Sequence, residues 1–373
     1  MIYLDYSATT MVDSEVLDTF NKVTNKFIGN PNSLHKLGVE SKELINTCTK
    51  QIASLLSCKP GEIIYTSGAT ESNNLSLIGT CLNHKKRGNH IITTKLEHSS
   101  IYGPLTYLME NGFEVDFVEI DDNGLIDIDS LKSLIKETTI LVSISAVNSE
   151  LGLRQNVEEI GKILCDYKNC YFHVDATQCI GKDKLDIKNI DLLSFAAHKF
   201  YGIKGIGVLI KKEKVNIKPI IHGGKSTTAY RSGTPATGLI ASLAKALRLA
   251  LQNNLTKYNY IKEINDEIIN NLNELDNVSI NHNEYCVPHI LNISVLGLKP
   301  ETFQHALEEK DIYISTGSAC ATGDSSGAVY AFTKDEAKSS SSIRISLSHL
   351  TTKEETRIFI KEFKNCLDNL NLK

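Results

Sequence analysis

The stretch Leu192-Leu193-Ser194-Phe195-Ala196-Ala197-His198-Lys199-Phe200-Tyr201-Gly202 runs an unbroken apolar segment into a histidine and a lysine. Leu192 to Ala197 predicts a buried strand, and a glycine-rich turn, Ile203-Lys204-Gly205-Ile206-Gly207, leads to a second apolar run, Val208 to Ile210. An ammonium is costly to bury. A lysine at a strand end therefore pairs with an anion, loses its proton, binds a carbonyl compound as a Schiff base, or points into solvent as most lysines do. By itself the stretch leaves these alternatives open.

On its N-terminal side strand and helix patterns alternate. Strands are predicted at Glu62 to Thr66, His90 to Thr94, Phe113 to Val118, Ile140 to Ser145 and Tyr171 to Val174. Helices are predicted between them at Glu71 to Arg87, Ser99 to Glu110, Ser130 to Lys136 and Val157 to Tyr167. This is the signature of βαβ units and a mainly parallel sheet covered on both faces, with ligands expected at strand ends. One long amphipathic stretch, Gly238 to Asn253 and on to Leu275, predicts the exit from this domain. The strands and helices beyond it predict a smaller α+β domain.

The 373 residues suffice for both domains, and 41% hydrophobic with 23% charged residues is ordinary globular usage. A net charge of −4 gives no electrostatic case for nucleic acid or an anionic membrane as main partner. The short basic clusters Lys85-Lys86-Arg87 and Lys211-Lys212-Glu213-Lys214 are expected on solvated faces. No apolar run approaches the roughly 18 to 20 residues of a membrane span, and Ile2-Tyr3-Leu4 is strand-like rather than part of a signal peptide, which points to the cytoplasm. The nine cysteines are scattered and never in a C-x-x-C pair, which argues against a disulfide framework or a structural zinc site. Most are expected to be buried small hydrophobes.

Several strand ends carry chemistry. Thr66-Ser67-Gly68-Ala69-Thr70-Glu71 opens a helix and is either a plain cap or an anion cradle. His173-Val174-Asp175-Ala176-Thr177-Gln178 puts an aspartate where a cation, such as a protonated pyridine nitrogen, or a helix cap would employ it. Glu97-His98 places an imidazole at another strand end. Taken jointly with Lys199, these groups predict a ligand that carries a phosphate, a ring nitrogen and an aldehyde, namely pyridoxal 5′-phosphate. In the small domain, Ser315-Thr316-Gly317-Ser318-Ala319-Cys320-Ala321-Thr322-Gly323 sets one cysteine in a segment too polar for a core, a setting suited to a travelling nucleophile. Arg344 in Ser342-Ile343-Arg344-Ile345-Ser346 is available as a carboxylate clamp or for a surface ion pair.

Nearly end to end, the chain resembles the group I cysteine desulfurases, fold-type I pyridoxal-phosphate enzymes of the class V aminotransferase superfamily. The resemblance lies in YLDYSATT (3–10), GNPNSLHKLG (29–38), TSGATESNN (66–74), EH (97–98), VNSELG (147–152), HVDATQ (173–178), HKFYGIKGIG (198–207), RSGT (231–234), TGSAC (316–320) and SIRISL (342–347). It implies a mainly parallel seven-stranded sheet in a large domain over residues 16–255. A smaller α+β domain would span 256–373, with residues 1–15 packed against it. Lys199 would hold the cofactor and move the Cα proton, His98 would stack on the ring, and Asp175 would pair with the ring nitrogen. Asn148 and Gln178 would bond the phenolic oxygen, and Ala69, Thr70 and His198 the phosphate. Thr234 would reach the partner subunit's cofactor in a homodimer, and Arg344, assisted by Asn148, would clamp the substrate carboxylate. The implied reaction is L-cysteine to L-alanine, with the sulfur left as a persulfide on Cys320 for an acceptor protein of iron–sulfur or tRNA-thiolation chemistry. A thiol of ordinary pKa is only a few per cent ionised at neutral pH, so His98 or the cofactor would help to deprotonate it.

Some positions depart from the family pattern. Ala196 stands in place of a phosphate-bonding serine, a loss of about 1 kcal/mol. Lys225-Ser226-Thr227-Thr228, Ser149, Ser348-His349-Leu350 and the segment after Cys320 also differ. Alternatives on the same fold are a class V aminotransferase or a selenocysteine lyase; one of another class is a non-catalytic subunit of a sulfur-transfer assembly.

Overall fold

A computed structural model describes residues 1–317 and 325–371. Cys320 lies outside the described residues. The strands are β1 (Ile2–Tyr3), β2 (Ile63–Thr66), β3 (His90–Thr93), β4 (Glu114–Phe117), β5 (Thr139–Ser145), β6 (Tyr171–Asp175), β7 (Leu192–Ala196), β8 (Gly207–Lys211), β9 (Val278–Ile280), β10 (Ile290–Val295), β11 (Ile312–Tyr313) and β12 (Ser342–Ser346). Seven of them form one sheet in the order β2-β8-β7-β6-β5-β3-β4, in which β8 alone runs against its neighbours. The connection from β7 to β8 is a 3-10 turn at Ala197–Lys199 and a glycine-rich loop with Gly205 at φ +91°, too short for a parallel crossover.

Every residue of β5, β6 and β7 is buried, as expected of strands covered on both faces. Alternate side chains serve opposite cores. Val142, Ile144 and Leu193 join the helices Ser14–Lys26, Lys36–Leu55 and Thr237–Leu251 on one face. Leu141, Leu192 and Leu209 join the helices Ala69–His84 and Ser99–Glu110 on the other. Truncating such a residue, Leu193→Ala for instance, would cost about 2–5 kcal/mol.

The antiparallel sheet β12-β10-β9 has a core of its own, shared with the helices Asn254–Leu272, Pro300–Glu308 and Lys353–Asn371. β1 pairs in parallel with β11, and Ile2 and Leu4 pack into this second core. The N-terminal segment then crosses to the large sheet, where the Thr10 backbone N–H and hydroxyl both donate to the His198 carbonyl at 2.9 Å.

Two local readings change. The amphipathic stretch after Gly238 is two helices, broken where Gln252 is extended and Asn253 takes a left-handed φ of 55°, a conformation asparagine tolerates. Within the second basic cluster, Lys211 is buried rather than solvated. Its Nζ donates to the Val215 carbonyl at 2.8 Å and lies 4.7 Å from the Tyr230 ring centre, because the lysine occupies the last position of β8. No helix among the described residues is long and apolar enough to cross a membrane.

Candidate active site

Strands β2, β3, β5, β6 and β7 point the same way, and the segments leaving their carboxyl ends enclose a cavity of about 480 Å³. Its wall takes Ser67 to Glu71 from the turn after β2, His98 from beyond β3, Asp175 and Gln178 from the end of β6, and His198 and Lys199 from the end of β7. Ser7 and Ala8 come from the N-terminal segment and Arg344 from β12. The three-stranded sheet thus contributes a cation to a site built on the large sheet.

The Lys199 ammonium donates to the carbonyls of Ser7 and Ala8, at 2.6 and 2.9 Å. Asp175 is buried and accepts from Asn73 Nδ2 at 2.8 Å and from the Thr177 N–H at 2.9 Å. His98 caps the helix Ser99–Glu110: its Nδ1 accepts from the Ser100 N–H at 3.1 Å. Burial lowers the pKa of that imidazole, and the Lys199 and Arg344 charges push the same way against Asp175 and Glu150. His198 is pushed down to about 4, by burial first and then by the charges of Lys199, Lys204 and Lys182. Both rings are therefore neutral at pH 7.

Arg344 is buried, with Nη1 donating to the Ser149 carbonyl at 3.0 Å and Nη2 to Asp5 Oδ1 at 2.9 Å. Its Nε has no partner among the described residues. Gln178 lines the cavity and donates from Nε2 to the Ser7 carbonyl at 2.9 Å, while its Oε1 accepts from Lys182 at 3.0 Å. Asn148 is directed differently. Its Oδ1 accepts from the Glu150 and Leu151 N–H groups and its Nδ2 donates to the Leu96 carbonyl, so that Val147 and Ser149, not Asn148, line the cavity. Thr234 is exposed and lines a separate cavity of about 90 Å³, which shares Ser67 with the larger one. Ala196 is buried in β7 outside the cavity wall.

Ser7, Ala8, Asn73, Ser100 and Lys182 were not singled out by sequence. Ser7, Ala8 and Asn73 fall inside quoted motifs, YLDYSATT and TSGATESNN; Ser100 and Lys182 gave no local signal.

A sequence model of the family described as aminotransferase class-V matches residues 2–359. The chain belongs to the class-V aminotransferase family. A NifS/IcsS protein homolog from Lactobacillus delbrueckii subsp. bulgaricus is 40% identical over 97% of this chain and 96% of its own length. A cysteine desulfurase IscS from Buchnera aphidicola subsp. Baizongia pistaciae is 41% identical over 99% and 93%. The solved structure of a NifS-like protein, 34% identical, superposes with a TM-score of 0.93 over 98% of this chain and 99% of its own.

Class-V aminotransferase family enzymes use pyridoxal phosphate, and the residues of this member fit it. The helix Ala69–His84 opens on the cavity with no side-chain cap, leaving first-turn N–H groups for a phosphate. Asp175 offers a buried carboxylate to a ring N–H⁺. Ser7, Thr177 and Arg344 line the cavity, and Ser7 Oγ, Thr177 Oγ1 and Arg344 Nε are buried with no hydrogen-bond partner among the described residues. Buried polar atoms are normally satisfied, so a wall with several unspent ones suits a polar ligand.

Proposed function

We propose that this chain is a cysteine desulfurase, converting L-cysteine to L-alanine and taking the sulfur onto Cys320 as a persulfide. The observation that carries the reading is the convergence of Lys199, His98, Asp175 and Arg344 on one cavity, in a chain similar end to end to proteins named cysteine desulfurases.

Pyridoxal phosphate, when bound, supplies an electron sink that weakens the bonds at the Cα of an amino acid. Lys199 carries it through Nζ and moves the Cα proton. The N–H groups of Ala69 and Thr70, with neutral His198, hold the phosphate, and Asp175 keeps the ring nitrogen protonated. Gln178, whose Nε2 already bonds the Ser7 carbonyl, is the nearer of the two amides to the cavity and so the better donor to the phenolic oxygen than Asn148. Arg344 holds the substrate carboxylate. The Cys320 thiolate then takes the substrate sulfur: an S–S bond forms, the C–S bond breaks, and its electron pair stays with the carbon that is protonated to alanine.

Two cores support a division into residues 16–255 and 256–373, with residues 1–15 running along the second. The exposed Thr234 beside Ser67 supports a homodimer in which it serves the partner's phosphate. The sulfur would pass to an acceptor protein of iron–sulfur or tRNA-thiolation chemistry. A cytoplasmic setting suits the eight described cysteines, all free.

The test is cysteine turnover by the purified, cofactor-loaded chain with a thiol reductant, in which alanine and sulfide should appear in equal amounts. Cys320→Ala should lose both products while keeping the cofactor's visible absorbance. Alanine formation at the full rate by that variant would sink the reading.

A further inference from the structure

Between Asp175, at the end of β6, and His98, at the head of the helix Ser99–Glu110, lies an unbroken line of hydrogen bonds. Asn73 Nδ2 donates to Asp175 Oδ2 at 2.8 Å and to Ser100 Oγ at 2.9 Å. Ser100 Oγ is in turn 2.9 Å from His98 Nδ1. Asn73 is wholly buried on the helix Ala69–His84, and Ser100 sits in the first turn of the next helix.

Chemistry fixes the direction of each bond. A carboxylate only accepts, so the amide of Asn73 must turn its NH₂ towards Asp175. The other hydrogen of that NH₂ then goes to Ser100 Oγ, and Asn73 Oδ1 is left buried with no partner among the described residues. With an acceptor site of Ser100 Oγ filled, its own hydrogen is free to point at His98 Nδ1. That nitrogen already accepts from the Ser100 N–H. A ring nitrogen receiving two donors carries no proton, so the imidazole's hydrogen must be on Nε2.

We infer that Asn73 and Ser100 are positioning residues that lock His98 in the Nε2–H tautomer and tie its orientation to the carboxylate of Asp175. His98 then enters the reaction as a proton donor at Nε2, and the proton of the Cys320 thiol must leave by another route. The inference rests on the roles proposed for Asp175 and His98, but concerns bonds present in the protein without cofactor.

The experiment is ¹⁵N NMR of histidine-labelled protein free of cofactor, with the His98 signals assigned by their absence from His98→Asn. In the unmodified protein the proton should be on Nε2. In Asn73→Ala, Ser100 Oγ is free to rotate and accept from a protonated Nδ1, and Asp175 loses a donor, so its charge acts more strongly on the ring. In Ser100→Ala the hydroxyl donor is gone. Both changes favour imidazolium against the pull of burial, Lys199 and Arg344, so the titration midpoint should rise by about half to one pH unit. Ser100→Thr, which keeps the hydroxyl, should stay with the unmodified protein. A proton on Nδ1 of the unmodified protein overturns the inference even if no variant folds, as do unchanged midpoints in both alanine variants. Neither outcome touches the desulfurase reading, which is judged by alanine and sulfide.

Discussion

Arg344 Nη2 lies 2.9 Å from Asp5 Oδ1, so a cation of the three-stranded sheet meets an anion of the N-terminal segment at the cavity wall. Asp5 also forms a parallel bridge with Ser346, two residues along β12. The guanidinium is nearly sealed from water, and a buried charge that loses its partner is destabilising. Asp5→Ala should lower the free energy of unfolding in urea by about 3 kcal/mol. Arg344→Ala should instead appear in kinetics, raising KM for cysteine at least about tenfold through loss of a charge-assisted bond to the substrate carboxylate.

Lys199→Ala tests the anchor. It should abolish the visible absorbance of the cofactor-loaded protein and reduce alanine formation by about a thousandfold or more, since no described side chain replaces its proton transfer. Retention of the absorbance would remove Lys199 from that role.

Lys182 holds Gln178 through Oε1, and its ammonium is pushed down to about 7 by burial first and then by the Lys199 and Arg344 charges. The unfolded chain would keep this proton up to about pH 10.4. Between those values the unfolded state binds more protons, so this residue makes stability rise with pH. Lys182→Met should flatten that rise in urea titrations at successive pH values. The same variant frees the Gln178 amide to turn over, which should weaken cofactor binding in equilibrium dialysis.

Glu97 has the opposite sign. Its carboxyl is raised to about 7, mainly by burial, although Thr94 Oγ1 and the Ser145 N–H and hydroxyl all donate to it. From about pH 4.3, where the unfolded carboxyl ionises, up to about pH 7 the folded state keeps a proton that the unfolded state has released. Stability should therefore fall with rising pH across that window, by a few kcal/mol at most. Glu97→Gln should remove this part of the slope.

The large sheet was legible because its strands are short apolar runs closed by turn residues, and that information is local. The strand-end groups at Asp175, His98 and Lys199 were legible for the same reason. What lay beyond local reading depends on two elements meeting. Ser100 gains its meaning only when the helix Ser99–Glu110 packs beside Asn73 on the helix Ala69–His84. Lys211 looked solvated in a run of charges until β8 carried it under Tyr230. Asn148 lies in a motif that suggests a cavity residue, yet a backbone turn claims its amide.

The N-terminal segment has a consequence for the timing of assembly. Residues 1–10 leave the ribosome long before the residues that hold them: Ile2 pairs with Ile312, and the Ser7 N–H bonds the hydroxyl of Ser346. The carbonyls that receive the Lys199 ammonium are therefore held in place by residues synthesised more than 300 positions later. A nascent chain can complete its large sheet and still lack a finished cavity, which closes only once β12 has emerged and residues 1–10 have been drawn in beside it.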